Sequence, residues 1–244
     1  MELGLRNKTA LITGGSKGIG KAAAYRLSLE GANVAICARN RGNLLKAAEE
    51  IRNQTNGVIL PIVTDVCKPD DVSKLVKITT EKFGGLDILV NNAGGPPAGR
   101  ATDTTEEVWY QSIDLALLFF IRMSRESIPQ MKQGKWGRIV NILASSVYQP
   151  IDNLVTSGVT RMGAVAYAKS LSDEVGRDNI LVNNVAPGYL LTDRMMHIFE
   201  ARSNETGTNV EDLIQAHSAT IPVGRLGRPE ELGDPLESLP NELE

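Results

Sequence analysis

The sequence predicts an α/β fold, in which a doubly wound parallel sheet carries helices on both of its faces. Short apolar runs rich in β-branched residues alternate with longer runs in which apolar residues recur at helical spacing. A glycine-rich turn joins the first strand-like run to the first helical run. The chain has 244 residues, of which 42% are hydrophobic, so we expect one sizeable core and a single domain over residues 1–244.

The glycine-rich turn covers residues 13–20 and reads TGGSKGIG. The strand-like run at residues 9–13 leads into it, and residues 19–27, which lead out of it, have a helical apolar pattern. A strand, a glycine turn and a helix in this order are typical of dinucleotide-binding sites, because the helix N-terminus offers free N–H groups to a pyrophosphate. The alternative is a glycine-rich turn that binds nothing.

Each glycine of this turn has its own expected role. Gly14 allows a backbone conformation that side chains forbid, Gly18 lets the backbone approach the pyrophosphate, and Gly20 lets the helix pack closely on the strand. A P-loop is excluded because no Gly-Lys-Ser/Thr triplet closes the turn. A methyltransferase-type nucleotide fold stays open on the glycines alone. The other residues assigned to the cofactor turn are Ser16, Lys17 and Ile19.

Composition argues against several kinds of partner. The net charge is −3 and the pI is about 5.6, so no basic surface points to nucleic acid. Cys37 lies in an apolar run and Cys67 in a loop, and two unpaired cysteines favour the reducing cytoplasm. With two histidines and no cysteines at ligand spacing, we expect no metal site. No apolar run is long enough to cross a bilayer, so no membrane association is expected.

The second predicted strand, at residues 33–38, ends where a nucleotide fold meets the adenosine ribose. An acidic residue there binds the ribose 2′-hydroxyl and disfavours a 2′-phosphate, but this position holds Ala38. Arg39 follows it, and Lys17 lies in the glycine turn. Two cations without a carboxylate predict a preference for NADP(H), with NAD(H) as the alternative cofactor. Two solvated surface cations would explain the same residues.

The rest of the chain continues the alternation of strands and helices. Apolar β-branched runs mark the strands, periodic runs mark the helices, and a proline at residue 69 suits the first turn of the third helix. Paired glycines at 84–85 end that helix. The predicted strands are 9–13, 33–38, 58–63, 86–90, 136–142 and 180–185, and later helices are predicted at 43–52, 69–83, 105–132 with an interruption near Pro129, from 158 onward, and at 194–219.

Three motifs occur in the order and spacing of a known enzyme family. They are the glycine turn at 13–20, the pair Asp-Val at 65–66, and Asn-Asn-Ala-Gly at 91–94. The sequence thus resembles the short-chain dehydrogenase/reductase family, and this resemblance removes the methyltransferase alternative. The strand at 137–142 and the segment 186–192 resemble further motifs of the family.

The resemblance implies a three-layer Rossmann fold with strand order 3-2-1-4-5-6 and hydride transfer between a nicotinamide and a carbonyl or alcohol. It implies that the aspartate after the third strand contacts the adenine, that the segment after strand four supports the cofactor and the central sheet, and that the segment after strand six lies at the nicotinamide carboxamide. It also implies a homodimer or homotetramer built through paired long helices. The cofactor-binding residues that it adds are Asp65, Val66, Asn92, Ala93, Gly94, Pro187, Gly188 and Thr192.

The catalytic tetrad of the family is altered in this sequence. Its Tyr-x-x-x-Lys pair falls on Ser157 and Arg161, its serine on Ala144, and its asparagine on or near Ala116. In the family the tyrosine carries the proton, and the lysine lowers the pKa of the tyrosine and holds the ribose. Tyr-Ala-Lys at residues 167–169 does not replace this pair, because side chains two residues apart on a helix diverge.

Ser157, Arg161 and Ser145 are the predicted catalytic residues. Arg161 stays charged, so it can stabilise an oxyanion, and it can also bind cofactor phosphate or ribose. Ser157 acts only as a relay to water, because an aliphatic hydroxyl has no accessible pKa near neutrality. Ser145 would orient the carbonyl, and Tyr148 is the phenol of the same loop. Ser-x-x-x-Arg with Gly-Gly-Pro-Pro-Ala-Gly at 94–99 resembles a divergent branch labelled 3-oxoacyl-carrier-protein reductase-like.

The end of the sequence departs from the family pattern. Where the family adds a seventh strand, residues 233–244 hold two prolines and four acids. Such a segment does not make a buried parallel strand, so an irregular tail and a six-stranded sheet are predicted. The edge of the sixth strand would be exposed or covered by a partner. A truncated or frame-shifted gene product would give the same sequence.

The function predicted from the sequence is an NADP(H)-dependent short-chain oxidoreductase that acts on a small carbonyl or alcohol. The alternative is a catalytically silent dinucleotide-binding protein, acting as a redox sensor or as a partner subunit. The two differ in whether a carbonyl compound oxidises bound NADPH. The sequence does not indicate the substrate or the direction of the reaction.

Overall fold

The computed structural model describes the backbone of residues 3–238 and the side chains of residues 3–233. Within this range, six parallel strands form one sheet in the order β3-β2-β1-β4-β5-β6, which confirms the predicted order. The chain changes direction across the sheet between β1 and β4, which is where open α/β sheets bind ligands. The strands are β1 (Thr9–Thr13), β2 (Asn33–Ala38), β3 (Ile59–Val63), β4 (Ile88–Asn91), β5 (Gly137–Ile142) and β6 (Ile180–Val185).

Helices connect successive strands and cover both faces of the sheet. Two short 3₁₀ turns, at Ser145–Val147 and Gly176–Asp178, follow β5 and precede β6. The α-helices are α1 (Gly18–Leu29), α2 (Arg41–Thr55), α3 (Pro69–Phe83), α4 (Glu106–Ile113), α5 (Phe119–Gly134), α6 (Val155–Val175), α7 (Asp193–Thr206), α8 (Val210–Ser218) and α9 (Pro229–Ser238).

The core consists of two apolar clusters, one on each face of the sheet. Along β1, Ile12 belongs to the cluster under α1 and α2, and Leu11 belongs to the cluster under α3, α5 and α6. Successive side chains of a strand point to opposite faces, so a strand buried on both faces is apolar at every position. This arrangement confirms the three-layer fold that the family resemblance implies.

Several predicted boundaries shift by a few residues. Helix α2 begins at Arg41 rather than residue 43, because Asn40 caps it by accepting a hydrogen bond from the backbone N–H of Asn43 at 2.9 Å. Helix α6 begins at Val155 rather than residue 158, and β4 runs from Ile88 to Asn91 rather than 86–90. None of these shifts changes which element follows which.

The long helical segment is interrupted, but not at the proline. Pro129 lies inside α5, whereas Asp114–Leu118 form a π-helical turn between α4 and α5. Helix α6 passes close to this turn, since a Cβ atom added at Gly163 would lie 3.2 Å from Leu117. The wider π turn and the absence of a side chain at Gly163 together allow this close approach. The buried Ala116, expected at the family's asparagine position, lies in the same turn.

The predicted irregular tail is wrong for its first half. Residues 233–238 continue helix α9, which begins at Pro229 with two acidic residues in its first turn. Helix α9 packs on α1: Leu232 joins the apolar cluster, and a Cβ atom added at Gly233 would lie 3.0 Å from Arg26 and 3.3 Å from the Ala22 carbonyl oxygen. Residues 239–244 lie outside the described part of the chain, so the predicted absence of a seventh strand stays a prediction.

The segment predicted as one helix over 194–219 is two helices, α7 and α8. Gly207, with φ +70°, ends α7 in the left-handed conformation that favours glycine. Among the described residues, no helix is both long and apolar enough to cross a membrane. In the same part of the chain, no three His, Cys, Asp or Glu side chains are grouped so that they could hold a metal ion.

Candidate active site

The glycine turn is held in place by Asn92, which follows β4. The side-chain amide of Asn92 donates to the carbonyl oxygens of Thr13 at 3.2 Å and Gly14 at 3.3 Å, and the Thr13 hydroxyl donates to the Asn92 carbonyl oxygen at 2.8 Å. Gly14 and Gly18 have φ values of +60° and +51°, where a side chain would be strained. Asn92 therefore fixes the turn by satisfying backbone groups at the strand ends.

The packing of the turn leaves no room for side chains at two of its other glycines. A Cβ atom added at Gly20 would lie 2.4 Å from the Gly14 carbonyl oxygen, and one added at Gly15 would lie 2.7 Å from the Cβ of Ile36. The backbone N–H of Gly15 also donates to the Cys37 carbonyl oxygen at 3.0 Å. A turn packed this closely brings the first N–H groups of α1 to the surface where a dinucleotide pyrophosphate would bind.

The adenosine side of the site lies after β2 and β3. Ala38 ends β2, and the exposed Arg39 follows it. The Asp65 carboxylate accepts a hydrogen bond from the backbone N–H of Cys67 at 3.1 Å. Burial, with Asp114 nearby, raises the pKa of the Cys67 thiol to about 11, and the positive charge of Arg39 acts in the opposite direction. Arg39 thus lies close enough to the turn after β3 for its charge to reach it.

Lys17 has a contact that the sequence did not predict. Its ammonium group lies 3.0 Å from the carboxylate of Asp193, at the start of α7. Both side chains are more than half exposed, so this ion pair contributes little to stability. It joins the glycine turn to the segment after β6 across the mouth of the site.

The segment after β6 closes the opposite wall of the site. Thr192 caps α7 by accepting a hydrogen bond from the backbone N–H of Met195 at 3.3 Å, and a Cβ atom added at Gly18 would lie 3.5 Å from the Thr192 methyl carbon. The backbone N–H of Ser145 donates to the Pro187 carbonyl oxygen at 3.0 Å. The loops after β1, β5 and β6 therefore border one cleft.

The other predicted cofactor residues lie at the same edge of the sheet. All follow the carboxyl end of a strand, and each keeps part of its surface accessible to solvent. Ligands of open α/β sheets bind at this edge. These residues are Ser16, Ile19, Val66, Ala93, Gly94, Pro187 and Gly188.

Ser157 and Arg161 form a buried pair on successive turns of α6. Arg161 is only 6% exposed and Ser157 only 7%. The Arg161 Nε–H donates to the Ser157 hydroxyl oxygen at 3.2 Å, and Arg161 Nη1 donates to the carbonyl oxygen of Ile142, the last residue of β5, at 3.1 Å. The guanidinium is therefore fixed at the end of β5.

Ser146, rather than the predicted Ser145, has its hydroxyl beside this pair. The Ser146 and Ser157 hydroxyl oxygens lie 3.4 Å apart, and Ser146 is buried. The 3₁₀ turn Ser145–Val147 sets the direction of these side chains, and a turn of this kind is not encoded in the family spacing. The structure thus assigns the contact to a serine two residues after Ala144.

A second arginine acts on the same site. Burial and the positive charge of Arg194 lower the pKa of Arg161 to about 10. The side chain of Arg194 is exposed overall, but partial burial of its guanidinium also lowers its pKa. Arg161 remains protonated at neutral pH. Among the described residues, neither arginine forms an ion pair with a carboxylate.

Arg194 is held against the loop that follows β4. Its Nη1 donates to the Gly95 carbonyl oxygen at 2.7 Å, and its Nη2 donates to the Pro96 carbonyl oxygen at 3.3 Å. A Cβ atom added at Gly95 would lie 2.7 Å from the guanidinium of Arg194. The guanidinium can therefore occupy this place because residue 95 has no side chain. The sequence analysis did not predict a role for Arg194. Its contact lies in the Gly-Gly-Pro run at residues 94–96, which the sequence analysis had noted.

A cavity of about 1060 Å³ opens beside the serine pair. Ser146 and Gly158 contribute to its wall, as do residues 99–102 and 147–155. Tyr148, which the sequence placed near the site, lines this cavity and is 83% exposed. The space is large enough for a small organic molecule, and it is lined by Ser146 but not by Ser157, Arg161 or Arg194.

Comparison with known proteins agrees with this geometry. The chain matches the family model described as short chain dehydrogenase over residues 8–203. It is 33% identical over 229 residues to dehydrogenase/reductase SDR family member 4 of Oryctolagus cuniculus, covering 93% of this chain and 84% of the relative. It is 31% identical to the 3-oxoacyl-(acyl-carrier-protein) reductase FabG of Aquifex aeolicus, covering 100% of this chain and 94% of the relative.

A solved structure shares nearly the whole fold. The L-sorbose reductase of Gluconobacter frateurii, complexed with NADPH and L-sorbose, superposes with a TM-score of 0.95 at 30% identity. The match covers 99% of this chain and 92% of that chain. Because the matched region includes the glycine turn, the sheet edge and helix α6, the chain belongs to the short-chain dehydrogenase/reductase family and is a nicotinamide-dependent oxidoreductase.

Proposed function

We propose that the protein is an NADP(H)-dependent reductase or dehydrogenase in which Ser157, Arg161 and Ser146 replace the usual catalytic tetrad. The observation that carries this proposal is the buried Arg161 guanidinium, fixed by Ser157 and by the end of β5 beside the cofactor edge. The proposed substrate is a small carbonyl compound or alcohol, of the size of the L-sorbose bound by the similar L-sorbose reductase.

The cofactor would lie along the carboxyl edge of the sheet. The glycine turn and the first N–H groups of α1 would take its pyrophosphate, and Asp65 would face the adenine. Arg39 would bind the 2′-phosphate of NADP(H), because β2 ends in Ala38 and no carboxylate there would repel the phosphate. Lys17 assists it only by leaving its ion pair with Asp193. The bound nicotinamide supplies or accepts the hydride.

Arg161 would stabilise the oxygen of the reacting carbonyl. Negative charge develops on this oxygen during reduction, and a fixed, buried cation stabilises it strongly. With a pKa of about 10, Arg161 keeps its proton at neutral pH, so it acts by charge and not by proton transfer. Its two hydrogen bonds hold the guanidinium in place before the substrate binds.

Ser157 and Ser146 would deliver the proton. Since Arg161 Nε–H donates to the Ser157 oxygen, the Ser157 hydroxyl hydrogen is free to point at the substrate oxygen. Ser146, 3.4 Å away, can return a proton to Ser157 from water. Hydride reaches the carbonyl carbon, the proton reaches its oxygen, and water is the net proton source.

The test is turnover measured together with cofactor binding. We expect Arg161→Ala to reduce kcat at least a hundredfold, a loss typical of removing one oxyanion-stabilising group, while NADPH still binds. Lys169→Ala, an exposed change on the same helix, is the control and should keep full activity. If Arg161→Ala turns over normally, Arg161 has no part in the reaction. If the wild-type protein binds NADPH and no carbonyl compound oxidises it, the silent dinucleotide-binding protein is the better interpretation.

We also propose that the protein acts in the cytoplasm as a homodimer or homotetramer. Apolar side chains of α4, the π turn and α6 are exposed in the single chain, which supports association through these helices. These side chains are Tyr110, Leu118, Val159 and Met162. Light scattering tests this proposal, and a monomer at all concentrations would refute it.

A further inference from the structure

Two positively charged side chains, Arg161 on α6 and Arg194 on α7, are held at the end of β5 and at the loop after β4, near enough for the charge of Arg194 to act on Arg161. Arg161 is 6% exposed, and the positive charge of Arg194 repels its own positive charge. Among the described residues, neither arginine forms an ion pair with a carboxylate. Burying a cation without a carboxylate partner disfavours the folded state, and a second positive charge nearby adds to that penalty. A protein keeps such an arrangement when a ligand brings the missing negative charge.

The position of Arg194 indicates which ligand this is. Its neighbour Asp193 turns toward Lys17 of the glycine turn, whereas Arg194 extends to the loop after β4. The pyrophosphate site is assigned to the glycine turn and the start of α1, whereas the hydrogen bonds of Arg194 go to the loop after β4. Arg194 therefore serves the substrate rather than the cofactor phosphates.

The loop that holds Arg194 is itself fixed to α6. The Thr156 hydroxyl donates to the Pro97 carbonyl oxygen at 2.8 Å, and the Gly99 N–H donates to the Asn153 carbonyl oxygen at 2.7 Å. Only two of the five N–H groups of Arg194 are used by Gly95 and Pro96. The remaining donors are available to bind a planar anion in two-point fashion.

We propose that the substrate carries a carboxylate bonded directly to its reacting carbonyl carbon or one methylene away, so that it is a short oxo acid or the corresponding hydroxy acid. Arg194 binds the carboxylate, and Arg161 binds the carbonyl oxygen. The inference rests on the proposed function and narrows it to one substrate class. In the reduction the hydride forms a C–H bond at the carbonyl carbon, the oxygen takes a proton from water through Ser157, NADPH becomes NADP⁺, and the carboxylate is unchanged.

The first experiment compares acids with their neutral esters. Acetoacetate and pyruvate are assayed against ethyl acetoacetate and ethyl pyruvate by NADPH consumption, in wild type, Arg194→Met and the control Arg202→Met on the exposed face of α7. We expect wild type to prefer the acids, and Arg194→Met to lose about 10- to 100-fold in kcat/KM for acids while the ester rates and Arg202→Met stay unchanged. Esters preferred by wild type, with no effect of Arg194→Met, overturn the inference and leave the oxidoreductase intact.

The second experiment separates binding from turnover. Malonate and neutral malonamide are titrated calorimetrically into the NADP⁺-loaded protein. The inference is supported if Arg194→Met weakens malonate binding and Gly95→Ala weakens it as well, since the added methyl group displaces the guanidinium without removing its charge. This result can be obtained even where turnover is too slow to measure. Two results overturn it: equal binding of malonate and malonamide, or an Arg194→Met variant in which NADP⁺ affinity falls as much as malonate affinity.

Discussion

Gly20→Ala tests whether tight packing of the glycine turn builds the cofactor site. The added Cβ atom would lie 2.4 Å from the Gly14 carbonyl oxygen and 2.7 Å from the Asn92 amide nitrogen. Atoms in contact are normally about 3.5 Å apart, so the turn or the start of α1 must move by about 1 Å. Asn92 ties Gly14 to β4, so the carbonyl cannot yield without breaking hydrogen bonds.

The expected magnitude follows from two opposing effects. Overpacking of this kind costs about 1–3 kcal/mol, and alanine in a helix gains at most about 1 kcal/mol over glycine. A net displacement worth about 1–2 kcal/mol at the pyrophosphate site weakens NADPH binding about 5- to 30-fold. Fluorescence or calorimetric titration measures the affinity, and thermal unfolding shows that the variant is folded.

Gly134→Ala is the matched control. Gly134 ends α5, and a Cβ atom added there meets no atom within 4 Å. This variant should bind NADPH with unchanged affinity. If Gly20→Ala binds NADPH as tightly as wild type while folding normally, close packing at the turn does not determine the cofactor site and the reasoning fails.

Two further predictions concern charge. Glu231 accepts hydrogen bonds from both outer nitrogens of Arg225 at 2.8 and 2.7 Å and from the Arg228 N–H, which lower its carboxyl pKa from 4.5 to about 2. A depressed acid pKa stabilises the fold above pH 4.5 and loses this effect as the pH falls toward 2, so Glu231→Gln should lower Tm at pH 7 but not near pH 2. Calorimetry at both pH values checks this, and an equal Tm difference at both would contradict it. Arg39→Asp should weaken NADPH binding at least tenfold and leave NADH binding little changed; comparable losses for both cofactors would show that Arg39 does not bind the 2′-phosphate.

The sequence predicted the sheet and the cofactor edge because both depend on local patterns. Apolar runs such as residues 33–38 become strands buried on both faces, and their order follows from the family motifs. The glycine turn was recognisable since its function needs glycine at fixed positions between a strand and a helix. Spacing on one helix also placed Ser157 and Arg161 together, because residues four apart lie on the same face.

Boundaries and irregular turns were predicted less well. The interruption of the long helix occurs at Asp114–Leu118, where Gly163 of α6 packs against Leu117, rather than at Pro129. Residues 233–238 are helical because α9 packs on α1, although prolines and acids suggested an irregular tail. In both places tertiary packing overrides the local residue preferences.

The contacts that give the site its character come from distant parts of the chain. Arg194 donates to Gly95, 99 positions away in the sequence, and its charge reaches Arg161 on a third element. No periodicity or motif in the sequence predicts these long-range contacts, because they depend on how α6, α7 and the loop after β4 pack around the sheet. The sequence by itself determined the fold and the cofactor edge, through hydrophobic periodicity and glycine placement. Only the tertiary structure decided that the charge of Arg194 acts on Arg161 at the candidate site, because long-range packing determines which charged side chains come close together.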